Sequence, residues 1–214
     1  MTRWFLQALT AIWALTHPAL AQDRAGTPEP ALVAGFPGHE IRWQTLEAPR
    51  PFRIPLGPVN RWHQIADWAE VEGRVTRRFH AGIGADHRAV YDHLRSALTD
   101  AGFTLLAEGA APDRQGSDTG SRRWFEAYLA ANPFTAPGAV QMLATGSATQ
   151  GGQAALVAYR DRAEGPVWVV VTVEQHSAED IGTLIDLIEI DRAEHGIPPL
   201  TTEAIGRDLA EYGR

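Results

Sequence analysis

Three carboxylates lie close together in the run "IDLIEID": Asp186, Glu189 and Asp191. Two carboxylates can act as general acid and general base when the fold brings both to one cleft. Acidic residues spaced among isoleucines and leucines are also typical of the solvated face of a helix. We interpret the three residues as surface charges, and an exported hydrolase that uses a carboxylate pair remains the alternative.

A glycine-rich stretch, "GIGADH" at 82–87, lies between a predicted strand and a predicted helix, and Glu108 follows the next strand. Dinucleotide-binding folds use this order, because the glycines admit the pyrophosphate and the later acid binds the ribose. His87 occupies the place of the third glycine, and no further alternation of strands and helices follows. We interpret Gly82 and Gly84 as parts of an ordinary turn, and predict no cofactor.

Metal and nucleophile chemistry also lack their usual spacing. His87 and His93 are six residues apart, which places them on different sides of a helix, and no HExxH pattern occurs. Ser147 lacks the GxSxG frame of a nucleophile elbow, and the chain has no Cys. We therefore predict no catalytic, cofactor-binding or metal-binding residues, and a protein that is not an enzyme.

The charge composition bears on possible partners. The chain of 214 residues has 26 acidic and 19 basic residues, a formal net charge of −7. This balance argues against nucleic acid, which requires a concentrated basic surface. A local basic patch for an anionic polymer or lipid headgroup is one hypothesis, and ordinary solubilising charge is the favoured one. The arginines of this hypothetical patch are Arg74, Arg78, Arg122 and Arg123.

The first 21 residues have the three parts of a secretory signal: Arg3, an apolar run over 4–16, and Ala19-Leu20-Ala21. The apolar run is shorter than the roughly 20 residues that cross a bilayer. We expect cleavage after Ala21, export by the Sec route to the periplasm, and no transmembrane span in the mature chain. An uncleaved anchor is the alternative.

Proline and glycine are frequent in residues 22–72, so short strands and extended stretches are expected there, wrapped over the main domain. Within this segment, residues 61–72 suit a short helix or an aromatic-rich connector. We interpret the tryptophans of the mature chain as core and interface anchors.

Residues 73–178 carry the clearest patterns and are predicted to form the core domain. Alternation over 73–81 predicts a half-exposed strand, and a helix then begins after Asp86 and ends at Gly102. A strand over 103–107 and a second helix over 122–132 follow.

Two apolar runs near the end of this domain predict an antiparallel hairpin. The second run places alternate valines, Val167, Val169, Val171 and Val173, toward the core.

The segment 179–214 is predicted to be a helical tail or interdomain helix. Ile181, Leu184, Ile185 and Ile188 have helical spacing, although a strand remains possible over 179–195. Residues 201–214 predict a final amphipathic helix. The whole chain is therefore predicted to be α+β, with a four- to five-stranded, mostly antiparallel sheet and helices on one face.

An ordered series of segments resembles an uncharacterised periplasmic domain that precedes OmpA-like peptidoglycan-binding domains in proteobacterial envelope proteins. The segments are "FPGHEI" at 36–41, "RIPLGP" at 53–58, "VEGRVTRRFHA" at 71–81, "YDHLRSALTDAGF" at 91–103, "RRWFEAYL" at 122–129 and "VWVVVTVE" at 167–174. Relatives of this kind continue with the OmpA-like domain, whose Asp and Arg hold the diaminopimelate of peptidoglycan. No residue of this chain corresponds to that site.

The resemblance implies a non-catalytic binding or structural module of the cell envelope. Its expected partner is an unidentified envelope protein or polymer, and peptidoglycan is a partner only if an OmpA-like domain is supplied. A small-ligand carrier is a further alternative, which would require a closed apolar cavity.

Overall fold

The computed structural model describes residues 33–111, 118–144, 151–177 and 180–192. Predictions for the signal sequence, for Ser147 and for the helix over 201–214 lie outside these residues. Within them, the chain forms six strands and three helices. The strands are β1 (Glu40–Pro55), β2 (Trp68–Gly82), β3 (Thr104–Ala111), β4 (Gln153–Arg160), β5 (Val167–Gln175) and β6 (Ile181–Glu189). The helices are α1 (His87–Asp100), α2 (Arg122–Ala131) and α3 (Gly138–Ala144).

The six strands form one open antiparallel sheet in the order β1-β2-β6-β5-β4-β3. This confirms the α+β class with an antiparallel sheet, with six strands where four to five were predicted. No helix of the described ranges is both long enough and apolar enough to cross a membrane.

Strand β1 corrects the prediction that proline-rich residues hold only short strands wrapped over the main domain. It is 16 residues long, lies at the edge of the sheet and pairs with β2. A proline is tolerated in an edge strand, because its missing N–H can face away from the neighbouring strand. The register shifts between Glu47 and Arg50, at the bulge that contains Pro49. Of the two predictions for residues 61–72, the short helix is wrong: residues 61–67 form a connector, and β2 begins at Trp68.

From Val75 to Ala81, β2 is buried on both faces, so the prediction of a half-exposed strand over 73–81 is wrong. Val75 and Phe79 face one side of the sheet, Arg78 and His80 face the other, and all four are buried. On one face the segment before β1 covers this strand, since a Cβ on Gly35 would lie 2.4 Å from the His80 ring. For the whole sheet, α1 packs on this face, and α2 and α3 pack on the other. The prediction of helices on one face is therefore only partly right.

The core has a layer on each side of the sheet. On the α1 face, Leu94 and Leu98 pack against the alternate valines of β5, which confirms the predicted hairpin and its inward valines. On the opposite face, Trp124 and Tyr128 of α2 pack against Phe52 and other residues of the sheet.

Helix α1 begins and ends as predicted. The Asp86 side chain accepts a hydrogen bond from the Ala89 N–H at 2.7 Å, and Gly102 has a φ of +80° just after the last turn. Strand β3 then begins at Thr104, as the pattern after the helix predicts.

Strand β6 replaces the helix predicted from Ile181 onward, so the strand alternative is right. It lies between β2 and β5 and is buried on both faces, and a strand in that position has an almost continuous apolar run. In an almost continuous apolar run, some residues always have the three- and four-residue spacing of a helix, so the pattern does not distinguish a helix from a buried strand.

Candidate functional site

Strand β6 separates two of the three carboxylates that could act together. Asp186 lies opposite Arg77, whereas Glu189 lies opposite Arg74. Side chains three residues apart on a strand point to opposite faces. The interpretation of Asp186 as a solvated surface charge is therefore wrong, because its side chain is 0% exposed. Asp186 and Glu189 do not form a carboxylate pair.

Asp186 is the centre of a buried polar network on the α2 face. Its Oδ1 lies 2.9 Å from Arg77 Nε in an ion pair that is not aligned as a hydrogen bond, and its Oδ2 accepts a hydrogen bond from the Tyr128 hydroxyl. Arg77 Nη2 donates to the Asn132 carbonyl at 2.8 Å. The network therefore ties α2 to the middle of the sheet.

Aromatic rings complete the surroundings of the Arg77 guanidinium. Its central carbon lies 4.8 Å from the centre of the Phe134 ring and 5.4 Å from that of Phe52. A desolvated guanidinium is attracted to the negative face of such rings. The Asn132 side chain also bonds both backbone groups of Arg53, each at 2.9 Å, which joins β1 to the end of α2.

Burial dominates the ionisation of this network. Complete burial raises the pKa of Asp186 above its usual 3.8, and the nearby Arg77 charge and the Tyr128 hydrogen bond offset only part of that effect. Burial also raises the pKa of Tyr128, and the adjacent Asp186 raises it further. Because these groups have no access to solvent, the network stabilises the fold and does not contact a substrate.

An open pocket of about 420 Å³ lies where β6 ends beside the interior of β2. It is lined by Pro49, Gly73, Arg74, Arg162, Glu164, Glu189, Ile190 and Asp191. Two of the lining arginines pair with Glu189: Oε2 lies 3.1 Å from Arg74 Nη2, and Oε1 lies 3.0 Å from Arg162 Nη2. Both oxygens of this carboxylate are therefore paired with guanidinium groups. We call this set, Arg74, Glu189 and Arg162, the Glu189 bridge.

The Glu189 bridge depends on close approaches of the backbone. A Cβ on Gly73 would lie 2.6 Å from the Glu189 carbonyl oxygen, so glycine permits β2 to approach β6 there. The Arg162 carbonyl accepts a hydrogen bond from Arg192 Nη2 at 3.0 Å, which fixes the β4–β5 turn beside the pocket. Asp191 is exposed and lines the same pocket, so the structure brings Glu189 and Asp191 together.

The glycine-rich stretch has no nucleotide-binding geometry. Strands β2 and β3 on either side of α1 are separated by three other strands, whereas a dinucleotide-binding unit needs them as parallel neighbours. Glu108 accepts hydrogen bonds from Arg95 and from the Tyr91 hydroxyl. The Arg95 hydrogen bond holds the pKa of Glu108 below its usual value.

The two histidines of the metal hypothesis lie in different surroundings. His87 Nδ1 is 3.0 Å from Gln175 Oε1, and the His93 ring packs edge-on against Phe36 at 5.2 Å. Across residues 33–192, leaving out the undescribed gaps, no group of three His, Asp or Glu side chains is placed to hold a metal ion.

The four arginines of the hypothetical basic patch do not share a surface. Arg78 is buried on the α1 face of the sheet, whereas Arg122 lies on α2 on the opposite face and pairs with Glu126 at 2.9 Å. Arg74 belongs to the Glu189 bridge.

No protein-family model matches the chain, and no curated protein matches it with significant similarity.

Proposed function

We propose that the chain is an exported, non-catalytic binding module of the bacterial cell envelope, of the kind that accompanies OmpA-like domains. The N-terminal sequence pattern and the ordered resemblance support export and an envelope role. The Glu189 bridge supports binding, and we assign the contact with the partner to the pocket around it.

The observation that carries this proposal is the pairing of both Glu189 oxygens. Two guanidinium groups, one on each oxygen, hold this carboxylate in one position. Fixed charges of both signs around an open pocket are suited to the recognition of a charged or polar group. An open, charged pocket also differs from the closed apolar cavity of a small-ligand carrier.

Of the three carboxylates considered for a hydrolase, Glu189 and Asp191 share the pocket, whereas Asp186 is enclosed in the core. Turnover of an envelope polymer that Glu189→Gln abolishes, with the fold retained, would favour this alternative over the binding proposal.

Co-sedimentation with envelopes tests the binding proposal. The purified chain is mixed with washed envelopes of a Gram-negative bacterium, and the bound fraction is measured by centrifugation. Loss of both guanidinium groups in Arg74→Ala/Arg162→Ala should weaken binding about tenfold or more. Arg42→Ala is the matched control, because Arg42 is exposed and pairs with Glu40 at the other end of β1. The proposal would be contradicted if Arg74→Ala/Arg162→Ala bound the envelopes as well as Arg42→Ala does. It would also be contradicted if the unmodified chain did not bind the envelopes.

A further inference from the structure

The loop between β1 and β2, residues 56–67, has a fixed base and a projecting tip. Val59 and Ile65 pair in an isolated antiparallel bridge and are both buried in the core on the α2 face. The Trp124 indole N–H donates to the Gly57 carbonyl at 3.0 Å. Residues 60–64 therefore extend from an anchored base, and this segment is called the loop tip.

The loop tip has a single conformation that its own hydrogen bonds hold. The Asn60 side-chain oxygen accepts from the N–H groups of Trp62 at 2.8 Å and Gln64 at 3.2 Å. The Asn60 N–H donates to the Gln64 carbonyl at 2.8 Å, and the His63 N–H donates to the Asn60 carbonyl at 2.9 Å. A rigid tip loses little conformational entropy when a partner binds it.

His63 has a φ of +60°, which a residue with a side chain rarely adopts. Such a conformation is retained at a cost in stability, and it occurs most often where function requires a fixed geometry. At this tip it accompanies Trp62, whose side chain is 69% exposed. Of the two roles predicted for the tryptophans, core anchor or interface anchor, Trp62 therefore does not have the first.

The side chains of the loop tip combine one flat apolar surface with polar donors. The Arg61 guanidinium carbon lies 5.0 Å from the centre of the Trp62 ring. Gln64 and His63 are also exposed. An indole face is negative and packs against the polarised C–H groups on one face of a pyranose ring, while guanidinium, amide and imidazole groups bond its hydroxyls.

Charge favours a neutral glycan over a polyanion. The loop has one arginine, Arg61, and one aspartate, Asp67, so its formal charges cancel. Arg53 on β1 pairs with Glu70, and the whole chain has a net charge of −7. Nucleic acid and anionic lipid surfaces need an excess of basic residues. We infer that the loop tip is a carbohydrate-binding site that stacks one pyranose ring of a neutral glycan on Trp62.

An array of immobilised neutral oligosaccharides, made of hexose and N-acetylhexosamine units, tests this site with the purified chain. Calorimetric titration with the best soluble oligosaccharide then gives the dissociation constant for each variant. Trp62→Ala should weaken binding about tenfold or more, whereas Trp62→Phe should retain part of it. Ile83→Ala is the matched control, because Ile83 is also exposed, at 74%. Equal thermal midpoints of the variants establish that each one is folded.

Binding to no oligosaccharide on the array would overturn the assignment, as would equal binding by Trp62→Ala and the unmodified chain. Trp62-dependent binding to vesicles of anionic phospholipid or to a single-stranded oligonucleotide, without glycan binding, would assign the tip to another polymer. The proposal does not depend on the pocket or on export. Arg74→Ala/Arg162→Ala should bind the oligosaccharide normally, so failure of either proposal is distinguishable from failure of the other.

Discussion

Removing one charge from the buried network of Arg77 and Asp186 should destabilise the protein far more than removing both. Asp186→Leu leaves a guanidinium that cannot lose its proton in the core, which costs about 3–5 kcal/mol. Arg77→Met/Asp186→Leu leaves no buried charge, only a Tyr128 hydroxyl and an Asn132 carbonyl without these partners. Each of these two losses costs about 1–3 kcal/mol, and the Tyr128 loss also occurs in Asp186→Leu, so the double variant exchanges an unpaired buried charge for one further unpaired carbonyl. The double variant should therefore be more stable than the Asp186→Leu variant.

The assay is denaturation by urea, followed through tryptophan fluorescence. Trp124 is a suitable reporter, because its ring stacks on Tyr128 with centres 5.4 Å apart. The two single variants and the double variant form a thermodynamic cycle, and we expect a coupling free energy of about 3 kcal/mol or more. Additive costs, or a single-variant cost below about 1 kcal/mol, would refute the ion pair as the organising contact.

The pH dependence of Arg77→Met provides a second readout of the same network. Burial already raises the pKa of Asp186 above 3.8, and loss of the neighbouring positive charge raises it further. The folded state then binds more protons than the unfolded state, so stability should fall as pH rises from about 4 to the folded pKa. The slope inside this window is about 1.4 kcal/mol per pH unit. A flat profile from about pH 4 to 7, like that expected of the control Arg77→Met/Asp186→Leu, would contradict the predicted ionisation.

Three further predictions concern local features of the fold. Asp86→Ala should cost about 1 kcal/mol of unfolding free energy, because α1 loses its N-cap, and an unchanged urea midpoint would argue against that cap. Gly165→Ala should cost about 2 kcal/mol or more, since φ is +139° and the new Cβ would lie 1.9 Å from the Ile190 carbonyl oxygen; an unaltered thermal midpoint would count against this geometry. Arg95 lowers the pKa of Glu108 below 4.5, so this pair contributes stability that is lost as pH falls through that lowered pKa. Melting curves from pH 3 to 6 should show a smaller acid loss for Glu108→Gln, and identical acid losses would contradict the pairing.

Elements with local signals could be predicted from the sequence. Helix α1 has an N-cap and a terminal glycine, and the β4–β5 hairpin has alternating apolar residues on both sides of a turn. Strands β1 and β6 lacked such signals. The prolines of β1 are breakers in a central strand but are compatible with the sheet edge, and that position depends on pairing with β2. The apolar run of β6 fits either period, and only its two neighbouring strands decide between them.

The site was less predictable than the fold because the side chains that contact each other there are distant in sequence. Arg77 and Asp186 meet through the β2–β6 register, and Arg162 reaches Glu189 from the β4–β5 turn. The signal in the sequence was the alternation of side chains between the two faces of a strand, applied to β6. If the segment had been interpreted as a strand, Asp186 and Glu189 would have been assigned to opposite faces.

The most direct test of the proposed function is photocrosslinking in living cells from the exposed pocket position Asp191, with the exposed position Glu40 as the matched control. A Gram-negative host produces the full chain with a photoreactive amino acid at one of the two positions, and adducts are identified in the envelope fraction. The account predicts adducts with one envelope component from position 191, loss of these adducts with Arg74→Ala/Arg162→Ala, and a mature chain that begins at Gln22. A chain that remains in the cytoplasm with its first 21 residues attached, or adducts that do not depend on the two arginines, would contradict it.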